Sequence, residues 1–86
     1  MQYEWDETKR QSNLGKHRID FTAIHSFEWD TARIELSYRG GENRYTAIGY
    51  IGDRLHYVVY TKREDNRRII SLRKANRREE RRYAQT

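Results

Sequence analysis

The chain contains no cysteine and no proline among its 86 residues. Without cysteine, disulfides and thiolate metal sites are excluded. No run of residues approaches the 18 apolar positions that a membrane-spanning helix needs, and no signal-like apolar stretch is present. Dinucleotide fingerprints, phosphate-binding glycine loops and Ser-His-Asp arrangements are absent as well. These absences predict a soluble, cytoplasmic protein with no membrane association and no cofactor.

Large aliphatic side chains are also scarce. Leu, Ile, Val and Phe together account for 15 of 86 residues, which is below the roughly 20% at which composition alone suggests disorder. Seven Tyr and two Trp supply apolar area that this count misses, and the middle of the chain has clear strand periodicity. We therefore expect one folded domain over residues 1–86 with a thin core, to which a partner protein adds apolar cover.

Positive charge, by contrast, is concentrated in the last third of the chain. Residues Thr61–Tyr83 hold ten of the 18 Lys and Arg and only four of the 13 Asp and Glu, so the segment carries +6 and the remainder −1. Solubilising charge would be spread out and mixed in sign, whereas this distribution is typical of a phosphate-binding surface. Nucleic acid is therefore the first partner to test, and an acidic protein the second.

The first thirty residues predict one short strand and two helices. Met1–Trp5 alternates aromatic and polar residues, as a strand does. Asp6 can cap a helix that ends at about Gly15, and Asp20 can cap a second, short helix. The apolar residues of the second helix share one face and are Phe21, Ile24 and Phe27.

From Thr31 onward the apolar period is two, which predicts strands joined by short turns. Leu55–Lys62 is apolar on both faces and should be central in the sheet. The short connections favour an antiparallel meander. We expect an α+β fold, with the two N-terminal helices packed on one face of the meander and a short C-terminal helix opening at Asn76. The other three predicted strands are the one that begins near Thr31, Arg44–Ile51 and Arg67–Arg73.

The fifth predicted strand carries the most information about function. Its alternation places Ile70 and Leu72 in the core and Ser71 and Arg73 on an open sheet face, where Tyr60 of the fourth strand is expected beside Arg73. Aromatic rings beside guanidinium groups suit single-stranded RNA, because bases stack on the rings and the guanidinium forks hold phosphates. The alternative is a solvated basic face on which tyrosines merely pack over the sheet.

Metal-dependent cleavage has little support in the sequence, because the three histidines are scattered at positions 17, 25 and 56. Metal-free cleavage of RNA requires fewer protein groups than metal-dependent cleavage, because the ribose 2′-OH is itself the nucleophile and an arginine-rich site can orient and neutralise the phosphate. Glu79 and Tyr83 lie four positions apart on the last helix and could supply a base and an acid. Equally, Glu79 could only complete a capping box with Asn76, and Tyr83 could be a frayed end. That helix has no apolar stripe, so its support must come from outside it.

Three motifs resemble the BrnT-type toxins, the ribonucleases of bacterial toxin–antitoxin pairs. EWDETKRQSNLGKHRIDF at positions 4 to 21 is similar to the family's WDxxKxxxNxxKHG opening, and GENRYTAIG at 41 to 49 to its GEERxxxIG strand. The stretch from Val58 to Tyr83 resembles its VVxTxR, RIISARKAxRRE and terminal Tyr. The resemblance implies a RelE-like fold, metal-free ribonuclease toxicity, and an antitoxin with a ribbon-helix-helix DNA-binding domain that allows a hetero-oligomer.

The sequence departs from this pattern at three places. Arg18 stands where the family has Gly, Asp30-Thr31 stands for Asp-Pro, and Leu72 stands for Ala. The first two affect the scaffold, and Leu72 should face the core, so the cleavage surface is expected to be intact.

The candidate residues follow from the resemblance and from the basic segment. The resemblance implies five catalytic candidates, which are Arg63, Arg73, Arg77, Glu79 and Tyr83. The candidates for RNA binding are Lys62, Arg67, Arg68, Lys74, Arg78 and Tyr60, and no residue is assigned to a metal. The rival interpretation is a basic module that holds RNA or DNA without cutting it, and a third is a toxin relic whose remaining role is to bind its antitoxin.

Overall fold

A computed structural model describes residues 2–85. The start of the predicted first strand at Met1 lies outside these residues. In chain order the elements are β1 (Gln2–Glu4), α1 (Glu7–His17), a 3₁₀ helix (Phe21–Ser26), β2 (Arg33–Arg39), β3 (Glu42–Ile51), β4 (Arg54–Arg63), β5 (Asn66–Lys74) and α2 (Arg77–Ala84).

The strands form a five-stranded sheet in the order β1-β5-β4-β3-β2. The antiparallel meander from β2 to β5 and the central position of β4 are confirmed. However, β1 pairs with β5 in parallel, so the sheet is mixed rather than purely antiparallel. β1 is separated from the meander by α1 and the 3₁₀ helix, and no short turn in the sequence indicates which strand it joins.

The main core lies between the sheet and the 3₁₀ helix, and no residue of α1 belongs to it. Its buried residues are Phe21, Ile24, Phe27, Ala47, Val58, Tyr60, Ile69 and Leu72. The predicted short second helix is a 3₁₀ helix, and Asp20 caps it as expected by accepting a hydrogen bond from the Thr22 N–H. Gly49 lets the end of this helix approach β3, because a Cβ at Gly49 would lie 2.7 Å from Phe27 Cζ.

Helix α1 is fastened to the sheet by a polar residue, which compensates for its low apolar content. The buried Asn13 amide donates to the carbonyls of Leu72 (2.8 Å) and Ile19 (3.0 Å). Its Oδ1 accepts from the Leu72 N–H at 3.2 Å. Asp6 caps the helix as predicted, accepting from the Thr8 N–H at 2.8 Å. The helix is thus held on the edge of the sheet next to β5.

The end of α1 differs from the prediction. The helix continues two residues beyond Gly15 to His17, and Arg18 ends it with a φ of 60° and an N–H that donates to the Leu14 carbonyl at 2.9 Å. A left-handed cap is the usual place for glycine, because a Cβ there is strained. The turn therefore keeps a glycine-type conformation although the residue is arginine.

We expect Arg18→Gly to raise the free energy of unfolding by about 1 kcal/mol, because glycine has no Cβ strain at positive φ. Urea unfolding of the parent and the variant measures this change. Arg18→Ala is the matched control, since it removes the same charge and keeps the strain, and it should bring no gain. An equal gain in both variants would mean that the charge of Arg18, and not its backbone, is unfavourable.

Strand β5 contains a bulge that the alternation pattern did not indicate. Val59 pairs with Ser71 but Tyr60 pairs with Ile69, which leaves Ile70 as the extra residue. A bulge of this kind bends a strand and redirects the side chains around it.

The bulge changes which residues of β5 face the core. Ile69 and Leu72 are 1% and 0% exposed, so the predicted core position of Ile70 is wrong and that of Leu72 is confirmed. Arg73 lies on the face opposite the core, as predicted. The extra residue shifts the alternation by one position, so that Leu72 is the next residue after Ile69 to point into the core.

Helix α2 covers one end of that opposite face. Its Tyr83 packs with Tyr50 and Tyr57 against a small cluster formed by Ile48, Leu55 and Ala75. The helix is therefore supported by its own chain.

Candidate active site

Arg73 and Glu79 form the polar centre of the contact between β5 and α2. Arg73 Nη1 and Nη2 each donate to one carboxylate oxygen of Glu79 at 2.8 Å. Glu79 Oε1 also accepts from the Asn76 N–H, while Asn76 Oδ1 accepts from the Glu79 N–H, both at 2.9 Å. The predicted capping box is present, and it orients the carboxylate that grips Arg73.

Tyr57 lies beneath the guanidinium of Arg73. The two residues are direct cross-strand partners, and Arg73 Cζ is 4.5 Å from the centre of the Tyr57 ring. A ring face and a bidentate carboxylate together fix both the position and the plane of the guanidinium.

Part of the Arg73 fork stays available to a ligand. Nη1 gives its two hydrogens to Glu79 and, at 3.2 Å, to the Lys74 carbonyl, while Nη2 gives one to Glu79. Of five N–H donors, Nε–H and one Nη2–H make no hydrogen bond with any residue from 2 to 85. Two adjacent donors on a fixed guanidinium suit the oxygens of a phosphoryl group.

Burial alone would raise the pKa of Glu79, which is 7% exposed. Hydrogen bonds from Arg73 and the Asn76 N–H, together with the Arg73 charge, outweigh burial and lower the pKa of Glu79. The carboxylate is therefore ionised at neutral pH and already engaged by three donors. It can hold Arg73 in place, but it is poorly suited to accept a proton from a substrate.

A second ion pair fixes α2 to the edge of the sheet. Arg82 donates to Glu35 of β2, and Arg33 donates to the Arg82 carbonyl at 2.9 Å. The hydrogen bond from Arg82 lowers the pKa of Glu35. Arg82 and Glu35 are 47 positions apart, so no local pattern in the sequence could have paired them.

An open depression of about 390 Å³ lies on the exposed face of the sheet, and Glu35 and Tyr57 are among the residues that line it. Tyr57, Val59 and Ser71 form part of its floor, and Arg39 and Arg44 stand at its side. Arg73 does not line the depression itself, but it packs on Tyr57, which does. The lining of the depression therefore combines two arginines, one carboxylate and one aromatic ring, and the arginines and the ring are groups that bind single-stranded nucleic acid.

The model of one protein family matches residues 5–79, and this family is described as the ribonuclease toxin BrnT of type II toxin–antitoxin systems. The chain belongs to the BrnT family. Its structure is similar to the 1.1 Å crystal structure of the Brucella abortus ribonuclease toxin BrnT, with a TM-score of 0.69 and 28% sequence identity over 90% of this chain and 100% of that chain. No curated protein sequence matches the chain.

Membership of the BrnT family makes the chain a ribonuclease toxin with an antitoxin as its partner. No helix in the described part of the chain is long and apolar enough to cross a membrane. Within residues 2–85 there is also no group of three or more His, Cys, Asp or Glu side chains that could hold a metal ion.

The structure brings together three of the five catalytic candidates inferred from the BrnT resemblance. Arg73 and Glu79 are in direct contact, and Tyr83 follows one helical turn after Glu79. Its hydroxyl donates to the Thr31 carbonyl at 3.1 Å and its ring packs edge-on against Tyr50, with centroids 5.7 Å apart. Tyr83 is therefore a packed part of α2, and the alternative of a frayed end is wrong.

The other two catalytic candidates form no hydrogen bond or ion pair with Arg73 or Glu79 within residues 2–85. Arg77 is exposed in the first turn of α2, and its side chain forms no ion pair in the described structure. Arg63 is six residues from Tyr57 along β4, or about 20 Å at the rise of a strand. The structure therefore does not place Arg63 beside Arg73.

Two of the candidates for RNA binding lie on the helix-covered side of the sheet. Lys62 Nζ is 4.6 Å from the Tyr45 ring centre, and Arg67 Cζ is 3.6 Å from that of Trp29. They flank the main core, away from the open depression.

Three further candidates occupy other surfaces. Arg68 is bonded to Glu4 of β1 at 2.9 Å. Lys74 is exposed at the end of β5 and Arg78 is exposed in the first turn of α2, where they add positive charge near the site.

Tyr60 does not lie where it was predicted. It is 1% exposed in the main core, and burial raises its pKa. The expectation that Tyr60 flanks Arg73 on the open face is wrong, because it lies opposite Ile69 and shares the core face with Val58. The ring beside Arg73 belongs to Tyr57, which the prediction did not select and which is the direct cross-strand partner of Arg73.

Proposed function

We propose that the chain is a metal-independent endoribonuclease of RelE-like fold that acts in the cytoplasm, inhibits translation and growth, and is neutralised by its antitoxin. The observation that carries this proposal is the Arg73 guanidinium, which is clamped by Glu79 and Tyr57 and still holds two free donors next to the open depression that Tyr57 lines. Such a group is already in place for charge that develops in the transition state.

In the proposed reaction the ribose 2′-oxygen attacks the adjacent phosphorus and the bond to the 5′-oxygen breaks. The products are a 2′,3′-cyclic phosphate and a 5′-hydroxyl, so the 2′-OH proton passes to solvent water, one proton is given to the 5′-oxygen, and solvent returns a proton to the group that donated it. Arg73 binds the non-bridging oxygens as their charge grows, and Arg77 adds a second cation at the start of α2. We propose Tyr83 as the proton donor, which requires that its hydroxyl leave the Thr31 carbonyl when RNA binds, and Glu79 as the residue that positions Arg73.

Purified protein is expected to cut single-stranded RNA at the same rate in excess EDTA as without it, because arginines supply the charge neutralisation. A 2′-deoxy substitution at the cut position should abolish cleavage there, since the nucleophile is removed. Gel analysis of end-labelled RNA measures both effects. Loss of cleavage in EDTA and its recovery with a divalent ion would contradict the mechanism, while a parent protein that binds RNA without cutting it would favour the non-catalytic RNA- or DNA-binding module.

The antitoxin is proposed to carry a ribbon-helix-helix DNA-binding domain and to cover the outer strand β2. The side chains of Ile34, Leu36 and Tyr38 are 45%, 60% and 72% exposed on this edge strand. An exposed apolar edge strand is a surface that proteins normally cover with another element.

Binding of the antitoxin should slow backbone hydrogen exchange in β2 at least tenfold. The amides of α2 should already be protected in the free protein, because Glu79, Arg82 and Tyr83 hold this helix on the sheet. Mass spectrometry of exchange in the free toxin and in the complex tests both statements. The central strand β4 is the internal control, since its exchange should be slow in both states. Unchanged exchange in β2 would place the antitoxin elsewhere.

A further inference from the structure

The β5 bulge connects two depressions on the surface. Ile70 and Ser71 line the open depression on the sheet face, and the same two residues line a second depression of about 210 Å³ beside α1. Because Ile70 is the inserted residue of the bulge, the two side chains reach both depressions at the point where they meet. The surface is thus continuous from the Arg73 site to α1.

The far wall of the second depression is one face of α1. Lys9, Ser12, Lys16 and His17 line it together with Asn13. Lys9, Ser12 and Lys16 follow a spacing of three and four residues, so they lie in one row along the helix. At the rise of an α-helix the two lysines are about 10 Å apart. Asn13 is used in fastening α1 to β5, so the ammonium groups and the Ser12 hydroxyl remain as ligand-binding groups.

The charges of α1 are divided between two sides of the helix. Arg10 is paired with Glu7 at 2.6 Å and with Asp20 at 2.7 Å. In contrast, Lys9 and Lys16 form no ion pair with any residue between positions 2 and 85. Glu7 and Asp20 are therefore engaged by Arg10, and Asp6 accepts from two backbone N–H groups at the helix start. The row of Lys9 and Lys16 thus presents positive charge that no ion pair in the described structure neutralises.

We propose that this face of α1 is a second binding site for the RNA strand, which holds phosphates beyond the cut position after the strand has crossed the bulge at Ile70 and Ser71. The inference rests on the proposed ribonuclease function. The site offers two ammonium groups and a hydroxyl, so it binds the backbone and is insensitive to base sequence. It contributes to the affinity for long RNA and leaves the chemical step unchanged.

The test compares the double variant Lys9→Gln, Lys16→Gln with the parent on a trinucleotide and on a long single-stranded RNA. On the long RNA the KM should rise about tenfold with kcat unchanged, and the salt dependence of binding should fall by about 1.4 in log–log slope, or 0.7 for each lost contact. On the trinucleotide the two proteins should be equal. Arg81→Gln is the matched control, because Arg81 is an exposed cation of α2 to which we assign no RNA contact.

Three outcomes would overturn the inference. Equal losses on the short and the long RNA would show that the lysines act on the fold or on the Arg73 site, and a change no larger than that of Arg81→Gln would show only general electrostatics. Loss of binding to an acidic peptide without loss of RNA binding would assign the surface to a protein partner. If the parent does not cleave RNA, filter binding of the long RNA still decides, since a tenfold weaker double variant would support the second site while the ribonuclease proposal failed.

Discussion

Arg73→Lys is expected to cleave RNA more slowly than the parent by about 10²- to 10³-fold, the usual cost of losing one preorganised donor, while binding RNA nearly as well. Lysine keeps the positive charge that Glu79 requires, so the pair between β5 and α2 survives in a weaker form. It cannot reproduce a planar fork that grips a carboxylate with one edge and offers two further donors to a phosphoryl group. Single-turnover cleavage and RNA affinity, measured on the same preparation, separate the two effects.

Arg82→Lys is the matched control for this prediction. Arg82 also joins α2 to the sheet through a carboxylate, Glu35, but it is not clamped over Tyr57. Its lysine variant should therefore retain most of the cleavage rate. Equal rates for the parent and Arg73→Lys would remove Arg73 from the active site. Equal losses in both variants would mean that cleavage depends on how α2 is held rather than on the Arg73 fork.

In a basic module that only binds, Arg73 would be one phosphate contact among many. Its replacement by lysine would then be mild in every assay, and the parent would show no cleavage to lose. The same experiment therefore distinguishes the ribonuclease from the rival function. In cells, the proposed function also predicts that Arg73→Lys relieves growth inhibition.

Most of the sheet was predictable from the sequence because its signals are local. The short turns fix the meander from β2 to β5, and apolar residues on both faces of one strand correctly indicate that β4 is central. The parallel pairing of β1 with β5 depends on contacts more than 60 positions apart, such as that of Glu4 with Arg68, and no local pattern encodes it.

The candidate site was predictable only where it depends on one element. The capping box of Asn76 and Glu79 follows from a spacing of three residues, and it is present. The bulge at Ile70 was not indicated, because an inserted residue leaves the composition of a strand unchanged. The bulge places Ile69 in the core, where Ile70 was predicted. The strand register beyond the bulge pairs Arg73 with Tyr57.

Glu79→Gln is expected to lower the free energy of unfolding by about 2 kcal/mol at neutral pH, within the range for hydrogen bonds to charged groups. Glutamine still supports the capping box, so the variant isolates the loss of the charged, bidentate contact with Arg73. The cost stays below the 3 to 5 kcal/mol typical of a broken buried pair, because the Arg73 side chain is 29% exposed and water can reach it. Urea unfolding measures the difference.

The pH dependence of this difference provides the sharper test. The pKa of Glu79 is lowered in the folded protein, so the carboxylate stabilises the fold fully above the ordinary Glu pKa of about 4.3, and this contribution is lost as pH falls through the lowered value. The parent and Glu79→Gln should therefore differ most at neutral pH and converge in acid. Glu80→Gln removes the same charge from the same turn of α2, and it should change stability by no more than about 0.5 kcal/mol. A difference between the parent and Glu79→Gln that does not depend on pH would mean that the carboxylate's charge does not hold Arg73.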